Sequence, residues 1–190
     1  MGTDFVYFLA SLPALSFSNP AGAPELAQFR QLCIDRLAPE ESAVIRVLPL
    51  LPGPIASQLG SRHEVLRQWY AWMTVMLNAQ VQWRARRLDG GVNGWRRPEE
   101  EAFPGDLKRL ETVLALPEPS QRQDGWEAMQ WDFLSGLEAT RYYDFQKLLI
   151  YALKLLLLEK RRSYDRRRGR QVMDDILDRL VAEAAGKRTQ

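Results

Sequence analysis

Residues 143–160 read YDFQKLLIYALKLLLLEK, and the fold turns on what this stretch can be in water. Phe145, Leu148, Leu149, Ile150, Tyr151, Ala152 and Leu153 are followed by Leu155, Leu156, Leu157 and Leu158, so a helix here is apolar around most of its circumference and has to be buried on several sides. A membrane span would need about 20 apolar residues. The run from 148 to 158 is shorter than that and carries Lys154 in its middle. The stretch therefore reads as the central helix of a helical body, with no direct membrane insertion.

Working outward, Trp126, Met129, Phe133, Leu134 and Leu137 lie at helical spacing and predict a helix leading into the central one. Downstream, residues 160–170 form a collar, KRRSYDRRRGR, with seven basic residues against Asp165. Arg161, Arg162, Arg166, Arg167 and Arg168 could meet an acidic protein surface or a nucleic acid. At helical spacing the charges spread over more than one side, which favours a solvated face around a helix break. Gly169 sits in that collar. Beyond it Val172, Met173, Ile176, Leu177, Leu180 and Val181 oppose Asp174, Asp175, Asp178 and Glu183, the pattern of a further helix packed on the first.

The amino-terminal half carries the same period. Residues 5–12, FVYFLASL, are aromatic and aliphatic and stop at Pro13; periodicity does not decide between a strand and a helical turn there. Pro24 is placed to open a helix bearing Leu26, Phe29, Leu32, Cys33 and Leu37, and Pro39 a second with Glu40 and Glu41 in its first turn. The run LPLLPGPI then reads as a break. Ser61 and Glu64 have capping-box spacing ahead of a long helix with Val65, Leu66, Trp69, Trp72, Met73, Met76, Leu77 and Val81 on its apolar side. Asn78 lies within that pattern, either on a helix flank or as a buried amide fixing the helix against a neighbour. Trp83, Arg84, Arg86 and Arg87, then Arg96 and Arg97 beside Trp95, interleave aromatic and basic residues. Such a patch can stack on bases and touch phosphates, whereas arginines at a helix end more often cover apolar surface and meet the last carbonyls. Pro98 with Glu99, Glu100 and Glu101, and Pro104 with Asp106, read as two further helix starts. Residues 117–125 are the most linker-like, and mark a subdomain boundary within an otherwise single domain of residues 1–190.

Composition excludes little but constrains partners. The chain is 46% hydrophobic and 26% charged, with 26 Lys and Arg against 24 Asp and Glu, so a basic surface would have to come from clustering and not from excess. Its 190 residues are enough to bury roughly 70% of the unfolded surface. Cys33 is the one cysteine. With no signal-peptide pattern at the start, it suggests a reducing, cytoplasmic setting and a small buried hydrophobe. His63 is the one histidine and reads as a structural first-turn residue. No Gly-rich phosphate loop, nucleophile elbow or paired His and Cys ligand set occurs in the sequence. These absences lead to the expectation of a protein that is not an enzyme and uses no metal or cofactor.

The opening residues Tyr7, Phe8, Leu9, Ala10, Ser11, Leu12 and Pro13, then Leu77 and Asn78 followed by Arg84 and Arg86, and finally Tyr151, Ala152, Leu153 and Lys154 with Gly169, carry a resemblance. Together they resemble a small bacterial family of uncharacterised proteins typically encoded beside V-type (A/V-type) ATPase subunits. The chain is also distantly similar to the central-stalk subunit called C in prokaryotes and d in eukaryotes, an all-helical funnel that seats the rotor shaft on the proteolipid ring. That subunit has three related helical modules and is markedly longer, so this chain matches at most part of the funnel. The resemblance implies a coupling or assembly protein whose partners are the stalk shaft and proteolipid ring, peripheral to the inner membrane through the ATPase complex. It transfers no catalytic residues.

The sequence thus predicts an all-α bundle of about seven to nine helices, with Asn78, Tyr151, Lys154 and Gly169 as structural residues. The leading function is a non-enzymatic component of a rotary ATPase. An RNA-binding or nucleic-acid adaptor using the Arg and Trp clusters is the alternative, and a hydrolase built from scattered carboxylates is the third.

Overall fold

The computed structural model describes residues 5–87, 97–98 and 102–164, and among these every regular element is helical. In chain order they are α1 (Phe5–Ser11), a 3-10 turn (Pro20–Gly22), α2 (Leu26–Arg36), α3 (Pro39–Val47), α4 (Pro54–Gly60), α5 (Glu64–Arg87), α6 (Pro104–Leu114), α7 (Pro119–Ala139) and α8 (Phe145–Arg162). The all-α bundle is the expected class. Helix α8 is its axis. Leu148 to Leu155 are all buried, as are Leu157 and Leu158, because α2, α3, α5, α7 and the 3-10 turn pack around it. Asp144 caps it, accepting from the Lys147 amide at 2.9 Å.

An aromatic stack ties the two long helices α5 and α7 together. The Trp72 ring lies 5.6 Å from Trp126 at an interplanar angle of 6° and 4.7 Å from Phe133, with Trp69 stacked behind it at 5.7 Å. Each buried indole needs an acceptor. Trp72 Nε1 donates to Asp106 at 2.7 Å, and Trp69 Nε1 to the Leu50 carbonyl at 3.1 Å. Asp106 thus serves both the first turn of α6 and the core.

The structure decides one local reading that periodicity left open and corrects two others. Of the stretch 5–12, Phe5–Ser11 form α1, where Phe5 meets Phe145 of α8. Ser61 does not cap α5: its hydroxyl donates back to the Gln58 carbonyl, closing α4, and the Val65 amide donates instead to Gln146 Oε1 of α8 at 3.1 Å. Residues 119–125 are the opening turns of α7 and not a linker. There Gly125 lets α7 approach α6 so closely that a β-carbon would stand 2.9 Å from Val113. The two sides of that stretch share one hydrophobic core. The LPLLPGPI break is real, but Pro54 at its end opens α4, which periodicity alone did not announce. Residues 99–101 of the helix start expected after Pro98 and the tail helix over 171–185 lie outside the described residues, as do Arg96, Arg166, Arg167, Arg168, Gly169 and the Arg87 side chain.

Candidate functional site

Three of the arginines singled out by sequence are held by acceptors within the chain. Arg162 threads the loop before α2, donating from Nε to Pro20 O at 2.7 Å, from Nη1 to Pro24 O at 3.2 Å, and from Nη2 to Ala23 O. Five donors in a rigid fork suit this task in a way a lysine could not. Arg161 lies 2.8 Å from Glu127 and 3.0 Å from Asp124, with its guanidinium over the Phe17 ring. Glu127 is fully buried and also accepts from Gln123 at 2.7 Å. Its charge is matched by Arg161, with Lys160 at 4.0 Å.

Arg97 is the third. Asn78, at 2% exposure, donates through Nδ2 to the Arg97 carbonyl at 2.8 Å and accepts from the Arg97 amide at 3.0 Å. The Arg97 side chain then donates to Pro52 O at 2.8 Å. Of the two readings of Asn78 the buried amide is the observed one, although it holds a backbone segment rather than a neighbouring helix. Arg84 and Arg86 are exposed near the end of α5, with Trp83 half-buried between them and the core.

The stretches at residues 7–13 and 151–154, far apart in sequence, meet. Tyr151 OH donates to the Pro13 carbonyl at 3.0 Å, and a cleft of about 310 Å³ opens between the α1 end and α8, lined by Leu12, Pro13, Tyr143, Lys147, Tyr151 and Lys154 among others. Lys154 is buried, pairs with Glu138 of α7, and sits 4.8 Å from the Trp131 ring centroid. Ion pair and aromatic face together offset the desolvation of that ammonium. Tyr143 lines this cleft and is 51% exposed, and Tyr142 precedes it in the turn from α7 to α8, exposed by 88%.

No family model, curated protein or solved structure matches the chain. Chemistry must therefore be judged from the groups themselves. Burial pushes the Cys33 thiol up to about 12, so at neutral pH it is a protonated hydrophobe. Burial does the same to Tyr151, pushed up to about 12, and raises Tyr70. His63 is lowered by burial and then by Arg62, while its ring packs edge-on to Phe145. Among the described residues no group of three His, Cys, Asp or Glu is placed to hold a metal ion, and no helix is long and apolar enough to cross a membrane.

The buried polar residues Glu127 and Gln130 were not anticipated. Gln130 donates to Met73 Sδ at 3.4 Å. Both sit on the apolar stripe of α7, Gln130 between Trp126 and Phe133 and Glu127 one turn before it, so the period marks their positions and only their polar type conceals their burial; Arg161 of α8 meets Glu127 and Met73 of α5 meets Gln130.

Proposed function

We propose that this chain is a non-catalytic docking or assembly component of a bacterial V-type (A/V-type) rotary ATPase, joining the central-stalk shaft to the proteolipid ring and so serving ion transport linked to ATP hydrolysis or synthesis. It would work on the cytoplasmic side, held at the inner membrane by the complex and not by a span of its own. The reading starts from the resemblance carried by residues 7–13, 77–86 and 151–154. The observation that supports it most is the meeting of the first and last of these at one cleft, lined by Tyr143 and with the exposed Tyr142 next to it in the chain. Exposed tyrosines beside a preformed hollow suit a protein partner, since aromatic residues are enriched at the centre of interfaces. Behind the rim Lys154 is already paired with Glu138, and the Lys147 ammonium lies 4.4 Å from the Tyr143 ring centroid, which lowers the ordering cost on association.

The nucleic-acid adaptor draws less support. Arg97, Arg161 and Arg162 are engaged by acceptors within the chain, so the basic patches are smaller than the sequence suggests.

The test is affinity purification of the tagged chain from its host. Rotary ATPase subunits should co-purify, and the double variant Tyr142→Ala, Tyr143→Ala should recover at least tenfold less of them while keeping the wild-type melting temperature. Purification without any such subunit sinks the proposal.

A further inference from the structure

A second hollow, of about 390 Å³, lies between the last turns of α5 and the start of α7, on Gln80, Trp83, Arg84, Arg122, Gln123 and Trp126 together with the apolar Leu114 and Pro119. Its volume falls within the roughly 300–1,000 Å³ of small-molecule sites. Four features of it converge. Gln80 is 9% exposed and its Nε2 is buried without an acceptor, a donor that costs stability until something accepts from it. A half-turn of the terminal amide exchanges its oxygen and nitrogen, so a ligand acceptor in the hollow could draw that donor out.

Charge is the second feature. Arg84 and Arg122 are both cationic, and no Asp or Glu is among the described residues lining the hollow. Arg122 is anchored, with Nη1 donating to Leu116 O at 3.1 Å, which leaves the rest of its fork for an anion. Third, α7 begins at this wall with Pro119 in its first turn, and its N-cap Glu118 makes no side-chain capping bond. Pro119 has no N–H and the Arg122 amide is bonded to the Glu118 carbonyl at 3.1 Å, so what this helix end adds to the hollow is the positive end of its dipole. Fourth, two indoles, Trp83 and Trp126, give the wall flat apolar surface.

From this arrangement we infer that the hollow is a binding site for a nucleoside monophosphate, its base against the Trp83 indole and within reach of the Gln80 amide, its phosphate at Arg84, Arg122 and the first turn of α7. Neither inorganic phosphate nor a nucleoside uses all four features. An amide edge can pair with adenine through one donor and one acceptor, so adenine is the base to try first. The same chemistry is offered by free AMP and by a nucleotide within a single strand. This site is separate from the cleft at Tyr151 and stands whether or not that cleft docks an ATPase subunit.

Calorimetric titration of the full chain with AMP, adenosine, inorganic phosphate and a six-nucleotide oligoadenylate decides the matter. AMP should bind at least tenfold more tightly than adenosine or phosphate. Arg84→Glu, at an exposed position, should weaken AMP at least tenfold without moving the melting temperature, and Gln80→Glu should weaken it by placing a carboxylate in the hollow. Oligoadenylate no tighter than AMP assigns the site to free nucleotide, and oligoadenylate at least tenfold tighter assigns it to a strand; both support the site. No heat with AMP or oligoadenylate at millimolar concentration, AMP and phosphate binding equally, or Arg84→Glu binding as the wild type would each overturn it.

Discussion

A carboxamide at 2% exposure is tolerable because both of its ends are occupied. Asn78 exchanges two hydrogen bonds with the Arg97 backbone, Nδ2 donating to the carbonyl and Oδ1 accepting from the amide. In Asn78→Leu the apolar side chain fits the helix, yet the backbone groups at 97 lose their partners and must find water. We expect a loss of about 1–3 kcal/mol, two ordinary hydrogen bonds partly offset by rehydration. Urea denaturation reads it directly, and a variant as stable as the wild type would mean that the pair contributes nothing net. The buried thiol and phenols give a pH dependence whose sign follows from linkage. Cys33 is raised from 9.0 to about 12 and Tyr151 from 10.0 to about 12, in each case mainly because burial disfavours the anion. Above the ordinary value the unfolded chain releases its proton while the folded chain keeps it. The stability these groups contribute is therefore complete below pH 9 and is lost as pH rises from about 9 to 12. Chemical denaturation at stepped pH should show that decline, and Cys33→Ala should flatten its first part, from about pH 9 to 10, where the thiol titrates ahead of the phenols. Thiol reagents at pH 8 should modify Cys33 in the folded protein only as fast as the chain opens.

At the scale of helices, what decides an end is often a residue from elsewhere. Ser61→Ala removes only a hydroxyl that bonds Gln58 O at an exposed turn, so its effect should stay within about 0.5 kcal/mol. Gln146→Leu strips the Val65 amide at the start of α5 of its acceptor and should cost about 1 kcal/mol, as losing a cap does. Thermal melts of the two variants rank the caps, and the opposite order would restore the capping box. The contrast shows what could be read in advance. Residues 148–158 announce a core helix because their apolar character is local and continuous, and the period through Trp69, Trp72 and Met76 announces α5 for the same reason. The Gln146 cap was not legible because donor and acceptor stand 81 residues apart and meet only when α8 docks on α5. Helix α4 was hidden because Pro and Gly at its start look like a break until Pro54 is seen to occupy a first turn. The arginines at 161 and 162 were identified by type, but their direction depends on where the loop before α2 and the α7 carboxylates come to lie. Long side chains carry no directional signal in sequence.

Across the whole molecule, the segment before α2 is joined to the α8 axis in a different way from the other elements. Helices α5, α7 and α8 bury Trp72, Met73, Met129, Leu134, Leu149 and Leu153 against one another. The first segment buries fewer large side chains, with Phe8 its one buried aromatic among the described residues, and relies on Tyr151 at Pro13 and Arg162 at Pro20, Ala23 and Pro24. Regions with few apolar contacts open at lower free energy than the global transition. Native-state hydrogen exchange should therefore find the amides of residues 5–23 opening well below the global unfolding free energy, while those of residues 148–158 exchange only with it. Arg162→Ala removes the fork from three carbonyls at once. It should accelerate exchange at residues 20–24 at least tenfold and leave 148–153 within twofold, because hydrogen bonds and not core volume are lost. If both regions accelerated equally, the loop and the axis would be one cooperative unit, and Arg162 would be a core residue in energetic terms and not the fastening of a separable segment.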